Sequence, residues 1–429
     1  MALMLNIYED KAHRRFAPLS SLRPVFLLRS GIKPLFLRLE RHFKQAPLAL
    51  ICREEVAPLA AEQAPDYPIN ILKREGGEVL FVNGRIRDVG DLVERSENAR
   101  MCTLFQNDGQ TVAALFKEYI LKDMATLGTQ DLYQDLFRQE AGQFTVENTS
   151  ATLYEGLWDL VADIEREITT DFAGLGPETL DKQPDRAPAG AVVVKPERVH
   201  LGEGSELSPG SLIDASAGPV FIGRKCRIEP QAAVYGPCYI GYDSTVTAGK
   251  VTGSSIGHTC RVGGEVEESI FLSCVNKYHA GFIGHACVGS WVNFGAMTTN
   301  SDLKNNYSSI RVSIDGEMID TGSIKVGSFI GDHAKFGIGT LLNTGINVGV
   351  GCNIFGGGLV SDKEIPPFRW GSTGNWQDYH IDKAIETARR VTERRGLPLS
   401  DRQEKRLRAV AEGSESAAGV MDFDIPVPA

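Results

Sequence analysis

Apolar side chains, most of them β-branched, recur at every sixth residue over two long stretches of the 429-residue chain. The first series is Ile222, Ile228, Val234, Ile240 and Val246, and the second is Ile330, Phe336, Leu342, Val348, Ile354 and Val360. A helix repeats near 3.6 residues and a two-sided strand repeats at 2, so neither explains this period. A coil with three flat faces explains it, because each apolar side chain then points to the axis and stacks on its equivalent in the next coil.

The segments between the two series carry the same aliphatic-then-glycine signature with small shifts of phase. The signature is seen at Ile256-Gly257, Val262-Gly263, Val288-Gly289 and Phe294-Gly295. A glycine after the aliphatic residue suits the tight corner between two faces, where the backbone needs unusual freedom. We therefore expect a left-handed parallel β-helix of hexapeptide repeats over residues 193–371, a solenoid in which each coil contacts only its neighbours.

Two segments interrupt the period and are expected to be loops expelled from the coil. Residues 276–281 form a short one that contains His279, and residues 300–321 form a longer polar one. Loops on a rigid scaffold commonly carry chemistry, so both are site candidates. A histidine here can remove a proton from an amine or hydroxyl as it attacks a thioester carbonyl. His285 and His333 follow a repeat glycine and are interpreted as surface or stacking residues.

The longer loop places a basic side chain among amides and a phenol. Its polar residues are Asn300, Asp302, Lys304, Asn305, Asn306 and Tyr307. Such a set can hold a sugar phosphate, with Lys304 as the point charge. The alternative interpretation is a polar turn that binds no ligand.

The first part of the chain, residues 1–155, lacks the period of six. Apolar runs at residues 3–8, 48–52 and 79–82 predict strands, and the apolar positions of residues 111–124 have helical spacing. Strands that alternate with helices indicate an α/β, Rossmann-like domain with a largely parallel sheet.

The remaining segments connect or close these two domains. Residues 156–192 are predicted to be a helix and a linker, because an apolar helical stripe is followed by a polar Pro- and Gly-containing segment at 174–190. A basic amphipathic helix at 382–395 is expected to cap the open end of the β-helix. The Ser-, Ala- and Gly-rich tail after Glu412 is expected to be disordered, so residues 372–429 comprise a helix and a flexible tail.

No glycine-rich phosphate loop follows the first predicted strand. The first 44 residues instead hold nine Lys or Arg against three acidic residues. Arginine side chains can bind phosphates where a glycine loop would use backbone N–H groups. Asp10, Arg23 and Arg29 are therefore the candidate nucleotide-binding residues, and a solvated basic face is the alternative.

Charge and hydropathy limit the possible partners. The formal net charge is −10 and the pI is near 5.4, which disfavours nucleic acid as a partner. The amino terminus lacks the features of a signal peptide and no apolar run is long enough to cross a bilayer, so a cytoplasmic location without membrane contact is expected. The eight cysteines form no C-x-x-C pair and are expected to fill apolar cores.

Several short motifs along the chain carry a family resemblance. They are Pro18-Leu19, Arg23-Pro24, Gly263-Gly-Glu-Val, Asn276-Lys-Tyr-His, Leu303-Lys-Asn-Asn-Tyr307, Asp320-Thr-Gly, Ile330-Gly-Asp-His333 and Asn353-Ile-Phe-Gly-Gly-Gly. In these motifs the chain resembles the family of bifunctional UDP-N-acetylglucosamine diphosphorylase/glucosamine-1-phosphate N-acetyltransferases. It looks most like the variant branch described as sugar nucleotidyltransferases.

The resemblance implies a nucleotidyltransferase-like first domain and an acyltransferase β-helix, with a nucleoside triphosphate and an amino-sugar 1-phosphate as substrates. It implies acetyl-CoA and Mg²⁺ as cofactors and a homotrimer as the assembly. His279 is then the general base, and acetyl-CoA lies along the later coils, near Gly356 and Gly357. The substrate-binding residues are then Asn293, Asn300, Lys304, Asn305 and Tyr307.

Three features depart from the family's pattern. Phe282 stands where well-studied relatives have a tyrosine, the Leu-Ala-x-Gly-x-Gly-Thr-Arg loop is absent, and Arg85 stands where a metal-binding aspartate is expected. The nucleotidyl half is therefore expected to work differently, to take another nucleotide or to be inactive. Two other functions stay open: nucleotidyl transfer alone, with the β-helix for assembly or regulation, and a non-enzymatic trimeric sugar-nucleotide sensor.

Overall fold

A computed structural model describes residues 3–43, 48–73, 77–121, 127–176, 189–414 and 419–424. These residues form an α/β first domain, a β-helix and two carboxyl-terminal helices that pack against both. Within these ranges, the helices are all too short or too polar to cross a membrane.

The first domain contains short strands and helices in alternation. Its strands are β1 (Leu3–Tyr8), β2 (Leu48–Ile51), β3 (Leu72–Lys73), β4 (Glu78–Asn83), β5 (Ile86–Asp88), β6 (Cys102–Asn107), β7 (Gln110–Phe116), β8 (Leu127–Gly128), β9 (Phe144–Asn148) and β10 (Thr152–Leu153). Its α-helices are α1 (Leu35–His42), α2 (Ala57–Gln63), α3 (Leu92–Asn98), α4 (Gln130–Gln139), α5 (Leu157–Ala162) and α6 (Ile164–Ala173). Three 3₁₀ helices follow β1, at Lys11–Phe16, Leu19–Leu22 and Val25–Leu27.

The main sheet has six strands in the order β2-β1-β4-β7-β6-β9. β1 runs parallel to β2 and β4, and β9 runs parallel to β6, whereas β7 is antiparallel to both of its neighbours. Separate apolar clusters cover the two faces of the sheet. The three predicted strands are confirmed, and the sheet is mixed because β7 is reversed.

The predicted helix at residues 111–124 is wrong. The segment forms β7 and then a 3₁₀ turn at Glu118–Ile120, and residues 122–124 lie outside the described part of the chain. β7 is central and buried on both faces: Val112 and Leu115 enter one core, and Phe116 enters the other. A strand buried on both sides is apolar throughout, so its apolar positions also match a helical spacing.

The predicted helix after residue 156 is confirmed, but it is broken. α5 ends at Ala162, and α6 begins at Ile164, with Asp163 between them. Asp163 accepts two hydrogen bonds of 2.8 Å from the guanidinium of Arg87. The polar segment that was predicted as a linker falls largely on residues 177–188, which are outside the described ranges.

The second domain is a parallel β-solenoid of about ten turns with three faces, which confirms the predicted β-helix. Face 1 comprises Val199–Leu201, Val220–Ile222, Cys238–Ile240, Ser255–Ile256, Ile270–Phe271, Cys287–Val288, Ser328–Ile330, Ile346–Val348 and Glu364–Ile365. Face 2 comprises Glu206–Leu207, Arg227–Ile228, Asn276–Lys277, Asn293–Phe294, Lys335–Phe336, Asn353–Ile354 and Arg369–Ser372. Face 3 comprises Val192–Val194, Leu212–Asp214, Ala232–Tyr235, Phe282–Gly284, Thr299–Asn300, Thr340–Leu342 and Gly358–Val360. Two longer strands, Thr245–Thr252 and Arg261–Glu267, continue from face 2 onto face 3.

The residues that repeat every six positions point to the axis of this solenoid and form one continuous core. The two predicted insertions leave the coil at different corners. Residues 278–281 lie between face 2 and face 3, which we call corner 2–3. Residues 301–327 lie between face 3 and face 1, which we call corner 3–1, and they contain the antiparallel hairpin of Arg311–Ile314 and Glu317–Asp320.

Face 1 is covered by the first domain. Side chains of α5 and α6 pack in one cluster with Ile270 and Phe329 of face 1 and with Ile310 and Val312 of the second insertion. Because the first domain occupies this side of the solenoid, corner 2–3 is the corner that it leaves uncovered.

The carboxyl-terminal segment departs from prediction in two ways. A hairpin of Arg369–Ser372 and Asn375–Asp378 ends the solenoid, and its Trp376 packs on the axial core. Helix α7 (Ile381–Glu393) therefore does not cap the end as predicted. It packs instead beside Val350 and Phe368 of successive coils, together with helix α8 (Asp401–Ala411).

The tail after Glu412 was expected to be disordered, but the segment 419–424 is docked on the first domain. Met421 and Phe423 are buried, and the Phe423 ring lies among aromatic rings of the first domain, 5.1 Å from that of Phe137 and 5.2 Å from that of Tyr8. Two large apolar side chains in a polar segment were enough to anchor it. The average composition of the tail is polar and therefore did not indicate that Met421 and Phe423 would be buried.

Candidate functional site

The first insertion adds two residues to one corner of the coil. Val262 pairs with Lys277 and Glu265 pairs with Phe282, so two residues of one coil stand opposite four of the next. The two are Gly263 and Gly264, and the four are residues 278–281. The extra length pushes the loop outwards and leaves the imidazole of His279 exposed.

Every carbonyl oxygen of this loop accepts a hydrogen bond. Tyr278 O accepts from Thr247 Oγ1 at 3.2 Å, and His279 O accepts from Lys277 Nζ at 2.7 Å. Ala280 O accepts from Met297 N at 2.8 Å, and Gly281 O accepts from Glu265 N at 3.1 Å. The backbone of the loop is therefore held by its own coil and by nearby coils on both sides, although its side chains face outwards.

The His279 imidazole is open to an incoming group. Its ring meets that of Tyr278 edge-on, with 5.4 Å between centroids. Neither ring nitrogen forms a hydrogen bond with a described residue. An imidazole placed in this way can take a proton from an amine or hydroxyl that approaches corner 2–3.

Exposed apolar side chains continue from this loop along corner 2–3 and face 3. The exposed fractions are 57% for Met297, 74% for Ile338 and 59% for Leu359. Gly356 and Gly357, which were predicted to bind the cofactor, lie at the same corner with φ of +101° and +71°. Contiguous exposed apolar surface of this kind commonly binds an apolar ligand or another chain.

Two predicted substrate-binding asparagines have different environments. Asn293 lies on face 2 in the strand next to Asn276–Lys277, and its Oδ1 accepts a hydrogen bond of 2.8 Å from Asn276 Nδ2. It is partly exposed and lies on the coil adjoining the His279 loop. Asn300 is buried, and its amide bonds the backbone N–H and carbonyl of Gly284, each at 2.8 Å. Its amide thus bonds the backbone of the solenoid, and its contact with substrate stays a prediction.

Lys304, Asn305 and Tyr307 lie at corner 3–1, so within one chain they are not beside His279. Lys304 Nζ donates to Ser309 O at 2.5 Å, inside its own loop. Tyr307 has φ of +55° and is 67% exposed. The sequence predicted both loops correctly but could not predict that they leave different corners, because that depends on how many residues each coil contains.

Corner 3–1 also holds a buried charge cluster that the sequence analysis missed. His285 was interpreted as a surface or stacking residue, but it is buried and bonds Asp302 Oδ2 at 2.7 Å and Glu268 Oε2 at 3.2 Å. Burial alone lowers the pKa of His285, but the hydrogen bonds to the two carboxylates outweigh it and raise the pKa to about 9. The stacking interpretation is confirmed for His333, which lies parallel to Trp291 with ring centroids 6.2 Å apart.

A second candidate site lies in the first domain, where the carboxyl ends of β1 and β4 meet. It is a cavity of about 400 Å³ lined by Asp10, Lys11, Arg85, Gln110 and the docked tail. Open α/β sheets commonly bind ligands at this edge. Arg85 occupies much of the polar surface: Nε donates to Asp10 Oδ1 at 2.9 Å and Nη2 donates to Asp10 Oδ2 at 2.7 Å.

Of the predicted nucleotide-binding residues, only Asp10 lines this cavity. Arg23 is buried in an ion pair with Asp332 of the solenoid, and the guanidinium of Arg29 lies over the ring of Tyr239, 5.5 Å from its centroid. Both arginines thus serve the contact between the domains. In the part of the chain that the structure describes, no three His, Cys, Asp or Glu side chains are grouped so as to hold a metal ion.

Comparisons with known proteins match parts of this chain. Residues 5–178, less than half of the chain, match the family described as sugar nucleotidyl transferase. The chain is 31% identical over 97 residues to a bifunctional sugar-1-phosphate nucleotidylyltransferase/acetyltransferase from Sulfurisphaera tokodaii. The matched segment covers 23% of this chain and 24% of that protein. It is 26% identical over 201 residues to the bifunctional protein GlmU from Synechococcus elongatus, and this match covers 42% of this chain and 40% of that protein.

The matched segments therefore span between a quarter and two fifths of these relatives. Among solved structures, a UDP-N-acetylglucosamine acyltransferase from Campylobacter jejuni aligns with 54% of this chain and 92% of its own, at 15% identity and a TM-score of 0.31.

Proposed function

We propose that this protein makes a nucleotide-activated, N-acetylated amino sugar. The β-helix transfers an acetyl group from acetyl-CoA to the amine of an amino-sugar 1-phosphate. The first domain transfers a nucleotidyl group from a nucleoside triphosphate to the sugar phosphate. The observation that carries the proposal is His279: an exposed imidazole on a loop whose four carbonyls all accept hydrogen bonds from the solenoid.

In acyl transfer the substrate amine attacks the thioester carbonyl, forming the C–N bond as the C–S bond breaks. His279 takes the proton from the attacking nitrogen and returns a proton to the leaving thiolate, so the products are an amide and the free thiol of CoA. A base held by an ordered backbone contributes further by positioning, because it meets the amine without first being ordered.

The residues at corner 2–3 fit the cofactor that this reaction requires. A side chain is absent at Gly356, Gly357 and Gly358, and no atom lies within 4 Å of a Cβ built on Gly358. The corner there is open, with Ile338 and Leu359 exposed beside it. A long, partly apolar thioester such as acetyl-CoA would lie along this exposed strip, formed by Gly356–Gly358, Ile338 and Leu359. The thioester would supply an acetyl group that is activated for transfer.

The same strip supports a homotrimer. Exposed apolar surface next to an active histidine suits an interface in which a second copy completes the site. Such an assembly would bring Lys304, Asn305 and Tyr307 of corner 3–1 to the His279 of a neighbouring copy, which one chain alone does not do.

For nucleotidyl transfer, the cavity beside Asp10 supplies the binding surface. Lys11 lines it, paired with Asp422 of the docked tail, and would contact the triphosphate, while the Gln110 amide would contact the sugar or base. Mg²⁺ does not fit the protein groups present, because both oxygens of Asp10 are engaged by Arg85 and no three His, Cys, Asp or Glu side chains are grouped to hold a metal ion among the described residues. No step of the proposal is therefore assigned to a protein-bound metal.

The Arg85–Asp10 pair favours a second candidate for the first domain: a module that binds a sugar nucleotide without turning it over. An aspartate held by a guanidinium at two points is not available as a metal ligand. In this version only the β-helix is an enzyme, and the first domain senses or retains the product.

Paired assays test both halves. Purified protein is given acetyl-CoA and glucosamine 1-phosphate while release of CoA is followed, and then UTP and N-acetylglucosamine 1-phosphate while release of pyrophosphate is followed. We expect CoA release to fall by at least about 100-fold in His279→Ala, the usual scale for a general base. The control is His380→Ala, since His380 is exposed beyond the solenoid and should leave the rate unchanged.

CoA release that persists in His279→Ala would reject acyl transfer by this site. If acyl transfer is seen but UTP is never consumed, the binding-module version of the first domain replaces the nucleotidyltransferase version.

A further inference from the structure

One side chain in the axial core of the solenoid is charged. On face 2 the inward position is filled in successive coils by Val246, Val262, Lys277, Phe294 and Phe336. Lys277 is 1% exposed, and its neighbours in this column are apolar. A lysine is the least expected residue here, because an aliphatic side chain would fill the same space without burying an ammonium.

The ammonium reaches the corner that carries His279. Lys277 Nζ donates to Gly263 O at 2.8 Å and to His279 O at 2.7 Å. Among the described residues it has no carboxylate within ion-pairing distance. Burial lowers the pKa of Lys277 to about 8, so the side chain stays a hydrogen-bond donor at neutral pH.

The neighbouring glycine makes room for this contact. Gly264 has φ of +68°, and a Cβ built on it would lie 2.9 Å from both Lys277 Nζ and His279 O. Any other residue at 264 would therefore collide with the hydrogen bond. Gly264 on one coil therefore leaves the space in which Lys277 Nζ of the next coil donates to His279 O.

The other loop carbonyls are held from different directions. Two accept from backbone N–H groups of adjoining coils and one accepts from the hydroxyl of Thr247. Only the carbonyl of His279 itself is held from within the core. Lys277 thus links Gly263 on one coil to His279 on the next through a single buried group.

We propose that Lys277 is the positioning residue for His279: its ammonium holds the carbonyl of His279 and so sets where the imidazole stands at corner 2–3. This inference rests on the proposed acyl transfer. Lys277 itself does not contact the substrate, because its side chain lies on the axial side of the backbone. Loss of the ammonium leaves the histidine in place on a looser loop, and a shift of about 1 Å in a base costs up to about 100-fold in rate.

The test compares Lys277→Met with Lys335→Met. Methionine suits the apolar column at 277 and removes only the ammonium. Lys335 is the control: it is a partly buried lysine on face 2, next to the inward Phe336, and its Nζ donates to Trp291 O at 2.5 Å, away from the His279 loop. The readouts are Tm, hydrogen–deuterium exchange of the peptide spanning residues 276–283, and kcat and KM for acyl transfer.

For Lys277→Met we expect a Tm equal to or above that of the unaltered protein. We expect amide exchange in residues 276–283 to be at least about tenfold faster, since the loop loses a hydrogen bond that orders it. We also expect kcat to fall by at least about tenfold with KM within about twofold, the pattern for a lost transition-state interaction. Lys335→Met should change neither exchange in this peptide nor kcat.

Unchanged exchange together with unchanged kcat in Lys277→Met would overturn the proposal. Lys277→Leu fills the same space with a second apolar side chain. A lowered Tm in both variants would show that Lys277 serves only the packing of the core, and this result would also overturn the proposal. If the unaltered protein transfers no acetyl group to any amino-sugar phosphate, the proposed function fails, and the exchange experiment still decides whether Lys277 orders the loop.

Discussion

Arg23 and Asp332 are 309 residues apart in the chain and form a buried ion pair that joins the first domain to the β-helix. Nη1 donates to Oδ2 at 2.9 Å and Nη2 donates to Oδ1 at 2.5 Å, while Asp332 also accepts from the backbone of Ser290. A two-point contact of this kind fixes orientation as well as distance. It holds the first domain on the side of the solenoid away from corner 2–3.

Replacing Arg23 by leucine should destabilise the protein strongly. Asp332 would remain buried with its charge unpaired, which costs about 3–5 kcal/mol. Arg369→Leu is the control, because its pair with Asp378 is exposed and is worth at most about 1 kcal/mol. Urea unfolding followed by circular dichroism measures both, and equal losses in the two variants would contradict a special role for the buried pair.

His285 should make stability fall as pH rises from neutral to alkaline. Its pKa is raised to about 9 in the folded protein, above the unfolded value near 6.5. The stabilisation from the charged imidazolium is therefore complete below about pH 6.5 and is lost as the pH rises through about 9, a change on the order of 3 kcal/mol. Unfolding free energies measured at intervals over this range give the slope.

In His285→Gln the dependence over that pH range should flatten, because glutamine does not titrate. His380→Gln removes an exposed histidine and should leave the slope as it is. A slope that survives in His285→Gln would assign the titration to another group.

Truncating the docked tail residue Phe423 to alanine should destabilise the first domain by about 3–5 kcal/mol, the usual cost of removing a buried ring. Phe423 is 1% exposed and contacts rings from β1, β4 and β7. Asp422→Asn is the matched change in the same segment, and it removes an ion pair with the exposed Lys11, so about 0–1 kcal/mol is expected. Unfolding of Phe423→Ala at the same urea concentration as the unaltered protein would show that the docking is not a stable contact.

The cysteines should not react with thiol reagents in the folded protein. All eight are free and buried, as predicted, and burial raises the pKa of Cys238, Cys260 and Cys352 to about 12. Thiolate is the reactive form, so Ellman's reagent should detect fewer than about one thiol per chain before unfolding and all eight in denaturant. Rapid reaction of several thiols in the native protein would contradict their burial. The same property allows CoA release to be followed with this reagent.

The candidate site was only partly predictable from the sequence. The interruption of the period located the His279 loop, because an insertion into a regular repeat has to leave the coil. Asn300 was predicted to bind substrate because a polar side chain in a loop segment suggests a ligand, and its amide bonds with the backbone of Gly284 were not predictable. Lys277 was missed, since nothing local distinguishes an inward lysine from a solvated one.

The period of six by itself determined the solenoid, its three faces and the two points where the chain leaves it. This information is local, because each coil contacts only the coils next to it in sequence. The tertiary structure alone decided that β7 is a strand, that Phe423 completes the first domain, that Arg23 meets Asp332, and that the two inserted loops stand at different corners. The strand β7, the docked Phe423 and the Arg23–Asp332 pair depend on partners elsewhere in the chain, which a periodic pattern does not identify. The corners of the two loops depend on the number of residues in each coil.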